Sequence, residues 1–158
     1  MLTPTARPAG ESSPRLGPVV AAIERGERDE ALRLAESGDL TPEEQAELRC
    51  SLAESFELAG LFDEGLRVLA HYEDPATHTG LSSETVACIW LQLASLYRWL
   101  NEVPRSITFA NHSLRAATSD AALGRAHRML GYVYWMIDEY AISRDHLLRA
   151  LEYHQKDG

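Results

Sequence analysis

Lysine is almost missing from this chain: 14 of its 15 basic residues are arginine, and Lys156 is the single lysine. With 24 acids the formal charge is −9, so there is no broad cationic footprint for a phosphate backbone. Nucleic acid and acidic membrane surfaces are not expected partners. Cysteine is scarce too. Cys50 and Cys88 form no C-x-x-C pair and neither stands beside a histidine at metal-ligand spacing, which predicts reduced, half-buried thiols in a cytoplasmic protein. No stretch approaches the roughly 18 apolar residues of a membrane helix. The opening MLTPTARPAGESSP has no apolar h-region, so a secretory signal is not expected either.

Catalytic punctuation is equally thin. There is no GxGxxG and no GxxxxGK[ST], which removes the dinucleotide and Walker-type phosphate cradles. No serine sits on a glycine-flanked elbow that would expose a nucleophile. Of the six histidines, His146 and His154 share a helical face but stand eight apart with Ala150 between them, so no i,i+4 ligand pair exists. His71 and His78 flank a loop, and His112 and His127 stand singly. The glutamates at 43, 44, 47, 54 and 57 read as a helix N-terminus and a solvated face. The sequence therefore predicts no metal, no cofactor and no enzyme activity.

What is present is ordinary globular material, with 45% apolar and 25% charged residues in 158, the size of one domain or a short repeat array. The charge is uneven. Residues 1–79 hold 16 acids against 7 bases, whereas residues 80–158 hold 8 of each. Residues 1–14 contain three prolines and little to bury, and are expected to be an unstructured lead. Beyond them the dominant signal is a 3.6-residue period, with no two-residue alternation of the kind a half-buried strand needs.

The helix punctuation is specific. A helix begins near Pro18, Gly26 interrupts it, and another covers Arg28–Ser37 and closes at Gly38. Thr41-Pro42-Glu43-Glu44 is a capping box with proline in the first helical position. The helix it starts runs to Ala59 and stops at Gly60, and a second covers Phe62 to His71. After an eleven-residue break, Ser83 is the expected cap of a helix to Leu100. Pro104 opens the next, to Ala117; Ser119 caps one to Ile137; the last covers Glu139 to His154. Aligning the turns pairs Gly26, Gly60, Asn101 and Asp138 at spacings of 34, 41 and 37, a self-similarity typical of helical repeats. The units are about 15–38, 42–75, 83–118 and 119–155, within one domain over 15–158.

The first helix of three units repeats one sentence: Leu52-Ala53…Phe56, Leu93-Ala94…Tyr97, Leu130-Gly131…Tyr134. The small residue admits a close neighbour and the aromatic, on the same face, fills the space beside it. Ala31, Gly65, Ser106 and Ser143 hold the matching small position of the second helix. These residues resemble the tetratricopeptide repeat (TPR) pattern W-x2-L-G-x2-Y, with Ala and Phe in the second helix and Pro near the end. Trp90, Leu93, Ala94 and Tyr97 match in one unit; Leu130, Gly131, Tyr134, Tyr140 and Ala150 in another; Gly60, Phe62, Leu69 and Pro75 in a third. The match covers about residues 45–155, and 18–38 only weakly. Extra residues separate the second and third units, and the second-helix alanine is often serine or glycine.

The resemblance implies an all-α, right-handed α-solenoid of antiparallel helix pairs that binds protein in a concave groove. First-helix positions outside the Leu–small–aromatic stripe would then face the groove: Glu47, Cys50, Glu54 and Glu57, then Leu91, Ser95, Arg98 and Trp99, then Arg125, Arg128, Tyr132, Trp135 and Met136. A peptide or helix with an acidic or C-terminal segment is the expected partner, with Arg98, Arg125 and Arg128 taking its charges and Trp99 and Trp135 its apolar side chains. The lysine-based carboxylate clamp of chaperone-binding TPR proteins has no counterpart here. Leu147, Leu148, Leu151 and Tyr153 cannot all be buried against one preceding helix. That end predicts either homo-oligomerisation or a longer polypeptide, similar to the sensor segments of bacterial signalling and transcription regulators.

Overall fold

A computed structural model describes residues 16–37 and 39–157. The expected unstructured lead at 1–14 and the helix stop at Gly38 lie outside the described residues. Among the described residues eight α-helices follow one another: α1 (Gly17–Glu24), α2 (Arg28–Ser37), α3 (Pro42–Leu58), α4 (Phe62–Leu69), α5 (Ser83–Trp99), α6 (Val103–Ala116), α7 (Asp120–Met136) and α8 (Tyr140–Asp157). Among the described residues there is no strand, so the chain is all-α.

The caps explain where the helices begin. Thr41 Oγ1 accepts from the Glu44 amide at 3.2 Å, and the Glu44 carboxylate accepts from the Thr41 amide at 2.9 Å, which completes the capping box. Ser119 caps α7 through the Ala122 amide at 3.1 Å. The cap of α5 is Ser82, not the expected Ser83: Ser82 Oγ accepts from the Thr85 amide at 3.2 Å. Tertiary contact decides between the two serines, because Glu43 of α3 accepts from the Ser82 amide at 2.9 Å and its hydroxyl at 2.6 Å. Similarly, α4 ends at Leu69 rather than His71. The chain tightens there into two 3-10 turns, Ala70–Glu73 and Pro75–His78, and the Asp74 carboxylate caps the second through the Ala76 amide.

The four aligned turn residues share one backbone conformation. Gly26 and Gly60 have φ of 74°, Asn101 59° and Asp138 63°. Glycine, asparagine and aspartate are the residues that tolerate this left-handed well, which ends a helix and turns the chain back.

Each helix packs against its successor in the pairs α1–α2, α3–α4, α5–α6 and α7–α8, while α1, α3, α5 and α7 lie in contact in that order. The second helices also touch the next first helix, α2 on α3, α4 on α5 and α6 on α7. The small positions make this close approach possible. Ala31, Gly65, Ser106 and Ser143 are all buried. Ser106 donates to the Ala94 carbonyl at 2.7 Å, and Ser143, its counterpart, to the Gly131 carbonyl at 2.8 Å. A Cβ on Gly65 would sit 2.8 Å from Leu96 Cδ2 and 3.3 Å from the Ala53 carbonyl oxygen, so that crossing has no room for one.

The core follows the repeated sentence: Leu52, Leu69, Ile89, Leu93, Leu96 and Leu130 are fully buried. Trp90 is its aromatic centre, stacked on Phe109 at 5.3 Å and meeting the edges of His78 at 4.8 Å and His112 at 4.9 Å. The first helices are also clipped at their N-termini. Glu43 accepts from Ser82 and from the Thr85 hydroxyl. One pair later, Glu84 accepts from the Thr118 amide and hydroxyl at 2.7 and 2.5 Å and from the Ser119 amide and hydroxyl at 2.8 and 2.9 Å. Burial works against ionisation of Glu84, but those four bonds outweigh it and hold the carboxyl at about 2. In α7 the same position is Ala121, which has no carboxylate to offer.

Candidate functional site

The surface presented by α7 and α8 differs from the rest of the molecule. Ser143 is the one buried residue of α8. Tyr132, Trp135, Met136, Ile137, Tyr140, Ile142, Leu147, Leu148 and Leu151 are all exposed, a concentration of solvent-facing apolar side chains that the earlier pairs do not have. Between the two helices runs a cleft of about 370 Å³, walled by Arg125, Arg128 and Tyr132 from α7 and by Leu147, Ala150 and Leu151 from α8. Gly124 forms part of its floor, and Asp120, His154 and Asp157 stand at one end.

Two groups of residues that the sequence suggests for separate purposes thus meet. Arg125, Arg128 and Tyr132, expected in the groove, line the same cleft as Leu147 and Leu151, expected at an oligomer contact. Leu148 and Trp135 lie outside that lining and point to solvent, 52% and 63% exposed.

Arg98 and Trp99 line neither this cleft nor the hollow beside it. The Trp99 ring stacks on Phe62 of α4 at 5.6 Å, its indole N–H donates to Glu57 of α3 at 2.8 Å, and the Arg98 guanidinium lies over it at 4.4 Å. Glu57 also accepts from Gln92 and Ser95 of α5, each at 2.6 Å. Trp99 is therefore occupied in joining α5 to the preceding pair, though half its surface stays exposed. Ser95, expected to face the groove, is buried, and Cys50 is largely covered although it lines a hollow between the first helices. The apolar period assigns a residue to a sector of its helix, and a neighbour one turn along then covers it.

Arg125 belongs to a second concavity as well. A hollow of about 330 Å³ crosses the first helices, lined by Glu47, Glu54, Cys50 and Cys88 and closed on the α7 side by Arg125. The floor changes sign along its length, acidic over α3 and cationic over α7. Burial together with the charges of Glu43 and Glu44 raises the Glu47 carboxyl above its ordinary range.

The structure also pairs groups that read singly in the sequence. His127 and His146 meet across the α7–α8 seam with Nδ1 to Nδ1 at 2.9 Å, sandwiched by Tyr153 on one ring and Tyr134 on the other. One imidazole donates and the other accepts, which requires the acceptor nitrogen to be unprotonated. Burial first, then the neighbouring imidazole and Arg149, lowers His127; burial first, then Arg149 against the opposing Asp145, lowers His146. Both folded values lie below the unfolded value of about 6.5. Their contribution to stability is full above that pH and is lost as pH falls through the depressed values. Melting temperature is expected to fall between pH 7 and 5, and His127→Gln to flatten that slope. A slope identical in the variant rejects this role for the pair.

Among the described residues, no three His, Cys, Asp or Glu side chains come together as a metal site. No helix among them is long and apolar enough to cross a membrane. No protein-family model matches the chain, and no curated protein matches it.

Proposed function

We propose that the chain is a helical-repeat interaction module, a right-handed α-solenoid of the TPR kind, whose α7–α8 cleft and adjoining groove capture an acidic amphipathic helix or peptide of a protein partner. The observation that carries this reading is the meeting of Arg125, Arg128 and Tyr132 with Leu147 and Leu151 around one cleft. Each earlier pair supports it by analogy. The helices α5 and α7 each settle against both members of the preceding pair, and a helix laid on α7 and α8 would repeat that packing. A partner helix would seat leucines or aromatics between Tyr132, Leu147 and Leu151 and set carboxylates against the two arginines. The work is binding rather than catalysis, in the cytoplasm, with no cofactor.

The test is selection from a library of helix-forming peptides. Enriched sequences are expected to carry leucine or aromatic residues at i, i+3/i+4 and i+7 with flanking acids. Selection on the Arg125→Glu/Arg128→Glu variant is expected to exchange those acids for bases. Failure to enrich, or the same acids on both proteins, removes the proposal.

A second reading is a sensor or oligomerisation segment of a larger bacterial signalling or transcription regulator. It is favoured by the apolar side chains of α8 outside the cleft, Tyr140, Ile142 and Leu148. Light scattering separates the two: the first reading expects 17.6 kDa at every concentration, the second a dimer that Leu148→Gln dissolves.

A further inference from the structure

We propose that Cys50 and Cys88 form a peroxide-sensitive dithiol, in which Cys88 is the reacting thiol and Cys50 the resolving one, closing a reversible disulfide between α3 and α5. The placement carries this. The two cysteines lie 38 positions apart in sequence, yet they stand on adjoining first helices and line the same 330 Å³ hollow. Their exposures are opposite. Cys88 opens to solvent, whereas Cys50 is buried at 5%. A small oxidant in the hollow reaches Cys88, the more open of the two thiols that line it, while Cys50 stays largely covered. Both side chains line one hollow between helices in direct contact, so the cross-link joins neighbouring elements of the fold.

Exposure assigns the roles, and the charges around the pair agree with it. The bond from Cys50 stabilises the Cys88 thiolate, Arg125 adds positive charge beside it, and together they outweigh burial and the acids Glu54 and Glu47 to bring Cys88 to about 7. The reciprocal bond, with burial and the same two acids, pushes Cys50 well up. The more open thiol is thus drawn below the ordinary thiol range and the buried one above it, which is the division of labour a reacting and a resolving thiol need.

The chemistry balances with hydrogen peroxide as oxidant. The Cys88 thiolate attacks one peroxide oxygen; the O–O bond breaks, Cys88 becomes a sulfenic acid, and the departing hydroxide takes a proton as water. Cys50 sulfur then attacks the sulfenic sulfur, its proton leaves with the hydroxyl as a second water, and the S–S bond forms. Two thiols are oxidised by two electrons and one peroxide is reduced. An added dithiol such as dithiothreitol reverses the result by exchange. Oxidation removes the thiolate next to Arg125 and ties α3 to α5 within the hollow, which changes both the charge and the compliance of that surface.

The experiment treats the full chain with stoichiometric hydrogen peroxide at neutral pH and reads intact mass and alkylatable thiols. The expected product has lost two hydrogens and both free thiols, yields a Cys50–Cys88 cross-linked peptide on digestion, and returns to the starting mass with dithiothreitol. In Cys50→Ser, Cys88 is expected to be trapped as a dimedone adduct; Cys88→Ser is expected to react at least about tenfold more slowly, as its remaining thiol is buried and protonated. On the unmodified protein, the pH-dependence of iodoacetamide alkylation should show a midpoint near 7 at Cys88. Two thiols surviving peroxide, a cross-link joining two chains, or equal rates in wild type and Cys88→Ser would overturn the proposal. So would a Cys88 alkylation midpoint at the ordinary thiol value of about 8.5, a measurement that needs no variant to fold.

Discussion

Replacing Trp90 by alanine is expected to remove about 3–5 kcal/mol of unfolding free energy. The indole is 5% exposed and touches aromatic rings from three directions: Phe109 stacked on it, His78 and His112 edge-on. The penalty depends on whether the hole collapses, and here the walls are held. Phe109 is pinned by its second stack on Tyr97 at 5.4 Å, and His78 by its ring nitrogen on the Tyr72 carbonyl at 2.8 Å. Neither ring moves inward without giving up a bond or a stack. A drop of this size corresponds to roughly 10 °C in melting temperature for a chain of this length. Trp90→Phe, which keeps part of the volume, is expected to lose about half as much. Urea unfolding reads both values; a loss below about 1 kcal/mol for the alanine variant would mean that the α5–α6 core repacks freely, contrary to this account.

Gly131→Leu is expected to cost about 3 kcal/mol by the opposite mechanism, overpacking. Even a Cβ on Gly131 would lie 2.6 Å from both Cγ and Cδ2 of Leu147 and 3.4 Å from the Ser143 carbonyl oxygen. Leu147 is 37% exposed and can swing outward, so an alanine here is partly accommodated, but a leucine forces α8 away from α7. That displacement also stretches the Ser143 hydroxyl bond to the Gly131 carbonyl. The damage is expected to be local. Hydrogen exchange should rise along α7 and α8 while α3 to α6 keep their protection, and adding Leu147→Ala should restore about half the loss. Uniform deprotection of all the helices would show that the crossing at Gly131 is not where the strain is placed.

Much of the helix plan was legible because the punctuation is local. A capping box, a serine three residues before a free amide, and a residue that tolerates positive φ each act within one turn of chain, and Gly26, Gly60, Asn101 and Asp138 took the same backbone state. Where tertiary contact competes with local chemistry, legibility failed. Ser82 and Ser83 are equivalent caps until Glu43, 39 positions upstream, reaches Ser82. The site was legible in composition but not in grouping. Arg125 and Leu151 stand on different helices, 26 positions apart, and only the packing of α7 on α8 brings them to one cleft. The cysteine pair had a usable signal. Shifted back by the 41-residue unit spacing, Cys88 falls on Glu47, one helical turn from Cys50. The histidine pair had less, since His127 and His146 meet only because the helices fold back at Asp138.

The seams between the first helices are not fastened alike. Between α3 and α5, Glu43 grips one end and Glu57 the other, through Gln92, Ser95 and Trp99. Between α5 and α7, the carboxylate of Glu84 holds the N-terminal end, and among the described residues no side-chain hydrogen bond or ion pair joins the other end. Away from Glu84 the last pair is held to the third by packing alone, against α5 and α6, so a change of angle there breaks no polar tie, whereas at the α3–α5 seam it would break several.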